Sequence, residues 1–141
     1  SDLDSLICPV SGGGLASGTI LSRDVLSKQT QIFLAEPQGA DDAFQSFAKG
    51  ELIFNEKPDT ICDGLRANLG DITYPIIKKG AKEIITLQDE EVLAALDLIS
   101  KNLKIIIEPS SAITLAAILK EKSRFKGQKI ALILTGGNYE G

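Results

Sequence analysis

Histidine is absent from all 141 residues. That removes imidazole as general base and as metal ligand, so Ser–His triads, Cys–His dyads and His-based metal centres are excluded within this chain. Cysteine is scarce. Cys8 and Cys62 are too few for a disulfide framework or a zinc site. Methionine is missing even at position 1, and Ser1 leads within a few residues into an apolar strand. The sequence therefore reads as a piece that starts partway through a longer protein, with a processed N-terminus as the plainer reading. No apolar run approaches the roughly 20 residues of a spanning helix, so no membrane is expected. No leader or transit segment is visible, and a cytoplasmic location is expected. A basic surplus is also lacking. Fifteen Lys and Arg face nineteen Asp and Glu, for a net charge of -4, so nucleic acid is not an expected partner. Any chemistry must use carboxylates, hydroxyls, lysines, backbone amides or a cofactor.

What is present is an ordinary globular mix, 43% hydrophobic and 24% charged, of one domain's length. Strand-like and helix-like segments alternate. Residues 6–10 (LICPV) form a short apolar run before glycines and read as a buried strand, with Pro9 at its end because proline cannot donate to a ladder. Residues 14–27 read as a helix, with Leu15, Thr19, Ser22 and Leu26 down one side and Ile20 beside them. Strands follow at 31–36, 82–87 and 129–134. Helices are predicted at 40–49, closed by Gly50, at 74–79, at 89–101 and at 109–121. The 89–101 helix carries Asp89, Glu90 and Glu91 in its first turn, as the macrodipole prefers. Val92, Leu93, Leu96 and Ile99 are its predicted buried face. In the 109–121 helix Ala112, Ile113, Ala116, Ala117 and Leu119 cover most of the circumference, which predicts deep burial. No period holds over 52–71. Continuously apolar strands joined by helices predict an α/β fold, a mostly parallel sheet covered on both faces. Four strands make a narrow sheet, as if part of it lay elsewhere.

Four clusters could carry chemistry. Ser11-Gly12-Gly13-Gly14 follows a strand and opens a helix. Its glycines permit close backbone approach, and the helix N-terminus offers unpaired amides to an anion, phosphate above all, with the Ser11 hydroxyl as an added donor. The plainer reading is a tight strand-to-helix turn. Gly12-x-Gly14-x-x-x-Gly18, with Glu36 at the end of the next strand, also mimics a Rossmann-type dinucleotide fingerprint. The second cluster, 36–42 (EPQGADD), packs three carboxylates where a strand ends and a helix begins. It is either an acidic helix start or an oxygen-ligand site for Mg²⁺ or Ca²⁺. Thr135-Gly136-Gly137-Asn138 follows the last strand, where open α/β sheets bind ligands. Glu108-Pro109-Ser110-Ser111 opens a helix, either as a cap or as part of a site.

Five motifs occur in order: CPVSGGGL at 8–15, AEP at 35–37, DGL at 63–65, IEPS at 107–110 and LTGGN at 134–138. Together they resemble the C-terminal half of the serine racemase and serine/threonine dehydratase family, fold-type II pyridoxal phosphate enzymes with a tryptophan synthase β-like large domain. The resemblance covers nearly the whole chain. It implies that residues 1–141 are the C-terminal part of the cofactor-binding large domain, with the N-terminal half and small domain outside this chain. It implies pyridoxal 5'-phosphate as cofactor, held by Ser11, Gly12, Gly13, Gly14, Gly64, Glu108 and Thr135. Ser11 stands where the family often has a fourth glycine. Thr135 matches the hydroxyl residue that faces the pyridine nitrogen, and Asp63 shares an active-site loop with Gly64. Glu36, the Ala40 carbonyl and Asp42 match a divalent-cation site for Mg²⁺ or Ca²⁺. Lys104 and Asn138, together with Glu108, fall where some racemases contact a nucleotide effector.

The implied activity is β-elimination or racemisation of a small hydroxy amino acid: serine, threonine or hydroxyaspartate. A neutral threonine at the ring nitrogen makes the cofactor a weaker electron sink than an aspartate would. That favours loss of water, with racemisation if a second base is supplied. One departure is large. The family's Schiff-base lysine lies in a Ser/Asn-Phe-Lys segment near its N-terminus, and none of the twelve lysines here has that context. No catalytic residue is assigned in this chain. It is expected to need the missing N-terminal half or a companion chain, and to be inactive alone and a homodimer when complete. A Rossmann-type nucleotide domain and a non-catalytic regulatory module derived from the enzyme are the other readings.

Overall fold

The computed structural model describes residues 2–137. Four strands form one sheet: β1 (Ser5–Pro9), β2 (Gln31–Pro37), β3 (Glu83–Leu87) and β4 (Ile130–Leu132). All pair in parallel, in the order β3-β2-β1-β4. Along β1 and β2, Ile7, Phe33 and Ala35 point to one face and Cys8, Ile32 and Leu34 to the other. Side chains alternate across a strand. Apolar residues pointing to both sides therefore demand cover on both faces, which is why the sheet is parallel and layered between helices.

Six helices supply that cover: α1 (Gly14–Leu26), α2 (Asp42–Lys49), α3 (Thr73–Gly80), α4 (Asp89–Leu103), α5 (Pro109–Lys120) and α6 (Lys122–Phe125). Ala16 and Ile20 of α1, Ala43 of α2 and Ile77 of α3 pack on the face of Cys8 and Leu34. Helices α4, α5 and α6 pack on the other, where Phe125 meets Phe33 edge to face at 5.0 Å between ring centroids. The chain steps outward from β1 through β2 to β3. It then returns through α4, α5 and α6 to place β4 on the far side of β1. The direction of winding thus reverses between β1 and β4, and at such a reversal a crevice opens beyond the carboxyl ends of the strands.

The sequence expectations meet this fold with local differences. Pro9 ends β1, Gly50 closes α2 at φ 78°, and Pro109 starts α5. Helix α2 begins at Asp42 rather than at 40, because Gln38–Ala40 forms a 3-10 turn. That turn is drawn against the 52–71 stretch, where the Asp59 amide donates to the Gly39 carbonyl at 2.9 Å. The same stretch holds a second 3-10 turn, Asp63–Leu65, and α6 is a helical turn that no periodicity announced. The predicted inner face of α4 needs one correction. Leu93 is 45% exposed, and Ala95 is buried in its place. A small side chain there lets α4 lie close against α5. Helix α1 turns Ala16, Ser17 and Ile20 inward, so Leu15 and Leu26 face outward. Among the described residues no helix is long and apolar enough to cross a membrane.

Candidate functional site

The Val10 amide still pairs with the Ala35 carbonyl, 3.0 Å away, and then the chain leaves the sheet into Ser11-Gly12-Gly13-Gly14. Gly13 takes φ +91°, a left-handed conformation costly to any residue with a Cβ. A Cβ there would lie 2.7 Å from Thr73 Oγ1 and 2.9 Å from Leu69 Cδ2. No side chain caps α1. Its first amides have no intrahelical partner and carry the positive end of the helix dipole. At Gly14 a Cβ would meet nothing within 4 Å, so this side of the loop is open. The Ser11 hydroxyl does not serve as the added donor. It accepts from the Ala67 amide at 3.0 Å and donates to the Ala67 carbonyl at 3.3 Å, because both backbone groups lie outside any ladder and need partners.

The loop walls a cavity of about 190 Å³, completed by Gly64, Leu65 and Thr135. This is the crevice of the winding reversal, with the end of β1 on one side and the segment after β4 on the other. The N-terminus of α5 fastens the remaining walls. The Gly64 amide donates to Ser110 Oγ at 3.0 Å, and Ser111 Oγ donates to the Gly136 carbonyl at 3.3 Å. Gly136 has φ +76°, and a Cβ on it would collide with the Glu108 carboxylate. Glu108 thus stands behind Gly64 and Gly136 and does not line the cavity. Among the described residues no lysine lines it either. A larger groove, about 660 Å³, runs beside α1 past Leu6, Leu15 and Leu26, and its lining is mostly apolar surface.

Glu36 and Asp42 come together, each 1% exposed. Glu36 Oε1 and Oε2 accept the first-turn amides of α2, from Ala43 at 3.0 Å and Phe44 at 2.9 Å. Asp42 accepts from the Leu69 amide at 2.8 Å and from Asn55 Nδ2 at 3.2 Å. Burial pushes the Glu36 carboxyl up to about 9; the charge of Asp42 adds to this, while the Phe44 and Ala43 amides oppose it. Asp42 is raised as well, chiefly by burial. Among the described residues neither has a cationic side chain in ion-pair range, and no group of three or more His, Cys, Asp or Glu side chains is placed to hold a metal. Ala40, buried, ends the 3-10 turn two residues before Asp42. Asp41 points elsewhere and accepts from Gln45 Nε2 at 3.2 Å. This arrangement overturns the dinucleotide reading, since a ribose-binding acid must face the ligand and Glu36 is buried under α2.

Lys104 ends α4 at φ 52° with its side chain exposed, away from the cavity. Asn138 lies outside the described residues. Sequence reasoning missed the back wall of the glycine loop, formed by Ala67, Leu69 and Thr73, and the paired amides Asn55 and Asn68. All five fall in or beside the stretch without a period. The only available signal was the unusual length of that stretch.

Residues 1–136 match the family model described as pyridoxal-phosphate dependent enzyme. The chain is 44% identical over 138 residues to a β-hydroxyaspartate dehydratase of Paracoccus denitrificans, covering 98% of this chain and 44% of that protein. It is 44% identical over 143 residues to a serine racemase of Dictyostelium discoideum, covering 99% of this chain and 44% of that protein. The solved structure of maize serine racemase superposes with a TM-score of 0.94 at 40% identity, over 99% of this chain and 44% of that one. The chain therefore spans less than half the length of the curated relatives it matches.

Proposed function

The chain belongs to the pyridoxal-phosphate dependent enzyme family, and from that premise we propose that it forms the phosphate-holding part of an enzyme that eliminates water from, or racemises, small hydroxy amino acids such as serine, threonine or hydroxyaspartate. One observation carries the reading. At the winding reversal of the sheet, a glycine loop with a left-handed Gly13 and an uncapped helix N-terminus faces Thr135 across one small cavity.

The residues present fit the group. Amides of the loop and of the first turn of α1 would bind its phosphate, because they are unpaired within the helix and sit at its positive end. Glycine at 12, 13 and 14 lets the backbone itself make the contact. Thr135 would offer the pyridine nitrogen a neutral hydroxyl, which orients the ring without protonating it. Gly64 and Leu65 form the third side of the cavity. When bound, the cofactor supplies electron withdrawal from the amino acid's α-carbon, and a hydroxyl partner keeps that withdrawal modest, which suits prompt loss of a β-hydroxyl. Homologues named serine racemase and β-hydroxyaspartate dehydratase support this substrate class.

We also assign Glu36, Asp42 and the Ala40 carbonyl to a divalent cation, Mg²⁺ or Ca²⁺. Two buried carboxylates without a cationic partner are costly, and hard oxygen ligands of this kind suit those ions. The test is to measure cofactor retention and turnover of serine and of hydroxyaspartate in the protein as its gene encodes it, with Gly13→Asp alongside. Loss of both cofactor and turnover on substitution is expected. A variant that keeps its cofactor would remove the loop from the site.

A further inference from the structure

The glycine loop has two sides. One lines the cavity; the other rests on Ala67, Leu69 and Thr73, none of which reaches the cavity. Thr73 is the first residue of α3 and its hydroxyl is fully used. Oγ1 lies 2.8 Å from the Gly12 carbonyl and 3.3 Å from the Gly70 carbonyl, and it accepts from the Gly70 amide at 3.1 Å. A hydroxyl has one proton, and the shorter contact places it on Gly12. We propose that Thr73 is a positioning residue of the phosphate cradle, holding the Gly12–Gly13 peptide so that the Gly13 amide faces the bound phosphate. The proposal rests on the reading of this loop as a phosphate cradle.

In a trans peptide the carbonyl and the following amide point in opposite directions. Drawing the Gly12 carbonyl back onto Thr73 turns the Gly13 N–H away from Thr73, toward the cavity side. Without that bond a glycine-glycine peptide has little to resist its rotation, because neither residue has a Cβ to restrict it. Thr73 is itself well held. Its β-branched side chain has few rotamers, the Tyr74 amide closes the turn on the Gly70 carbonyl at 3.0 Å, and Ser17 Oγ contacts the Thr73 carbonyl at 3.5 Å. Behind it, the Leu69 amide is anchored on buried Asp42, and Asn55 and Asn68 exchange hydrogen bonds, Asn55 N to Asn68 Oδ1 at 2.7 Å and Asn68 Nδ2 to Asn55 O at 3.3 Å. The cradle is thus braced against this support by two hydroxyls, Ser11 on Ala67 and Thr73 on Gly12, and only the second holds the Gly12–Gly13 peptide.

The test compares pyridoxal 5'-phosphate with pyridoxal, which lacks the phosphate, on the protein as its gene encodes it. Thr73→Val keeps the shape and removes the hydroxyl; Thr73→Ser restores the hydroxyl. Binding constants come from fluorescence titration, and melting temperatures are recorded for each variant. Losing one charge-assisted amide contact should weaken pyridoxal 5'-phosphate by about tenfold in Thr73→Val. Pyridoxal should bind as before, and Thr73→Ser should recover most of the loss. A Thr73→Val protein that weakens for both compounds equally, or for neither, overturns the proposal and leaves Thr73 a packing residue. Wild-type protein that does not distinguish the two compounds overturns the cradle itself, and this assignment with it. Should Thr73→Val fail to fold, the Ser variant decides: a phosphate preference lost with the hydroxyl still present refutes the role.

Discussion

Removing one charge from the Glu36–Asp42 pair should change how stability depends on both pH and divalent cations. Glu36 is raised from the ordinary glutamate value to about 9 in the fold, because burial disfavours its charged form. In the unfolded chain it titrates near 4.3. Between those values the folded protein holds a proton that the unfolded chain has released. Stability from this group is therefore complete below about pH 4 and is lost as pH rises toward 9. One proton corresponds to about 1.4 kcal/mol per pH unit, so the cation-free protein should lose up to about 2–3 kcal/mol between pH 6 and 8. At about 2–4 °C per kcal/mol for a chain slightly longer than this one, the melting temperature should drop by roughly 5–10 °C. A cation bound at the proposed site would replace that proton, and at a hundredfold excess over its dissociation constant it would add about 2.7 kcal/mol. Millimolar Mg²⁺ or Ca²⁺ should therefore flatten the profile and raise it at pH 8. Asp42→Asn should abolish the cation response and lessen the slope only in part, since burial, the larger cause of the Glu36 shift, remains. It keeps an acceptor for the Leu69 amide, and Asn55 can rotate its own amide to match the new side chain. Asp41→Ala should leave both effects intact, since Asp41 is turned to Gln45. The assay is a set of thermal melts at pH 6, 7 and 8, with and without cation, on all three proteins. An Asp42→Asn protein that still responds to cation, or an Asp41→Ala response lost equally, would refute the reasoning.

Gly13→Ala should destabilise the fold by roughly 2–5 kcal/mol, from about 1–2 kcal/mol for a left-handed alanine and about 1–3 kcal/mol for overpacking against Thr73 and Leu69. Urea unfolding measures it, and a change under 1 kcal/mol would contradict the close approach. Thr135→Ala should leave most of the cofactor bound and lower turnover by about tenfold, the cost of one hydrogen bond at the ring; equal loss of binding and turnover would move Thr135 out of that role. Gly80→Ala should cost about 1–3 kcal/mol, because its Cβ would strike the Ile20 side chain where α3 meets α1. Melts that coincide with wild type would show that the two helices can part freely.

Much of this molecule was readable from local sequence. Strands whose apolar runs do not alternate with polar residues must be buried on both faces, so a parallel layered sheet followed from β1, β2 and β3 alone. The glycine loop announced itself because three glycines between a strand and a helix exceed what a turn requires. Glu36 and Asp42 were legible as members of one acidic cluster because only five residues separate them, where a strand ends and a helix begins. What sequence could not tell is which partner each group meets. Glu36 looked equally like a ribose-binding acid until α2 was seen to bury it. The Ser11 hydroxyl looked like a phosphate donor until Ala67, 56 residues away, was seen to occupy it. Helix α1 turns Ala16 and Ile20 inward rather than Leu15 and Leu26, a choice made by the surfaces of β1 and α3 rather than by hydrophobicity. The 52–71 stretch has no period because its order comes from individual side-chain bonds to distant backbone rather than from a repeating face. Local pattern determines which elements form and where the chain turns, through backbone conformation and the alternation of buried positions. Only packing decides which polar groups are satisfied by the protein and which are left for a ligand, because that depends on residues brought close in space from far apart in the chain.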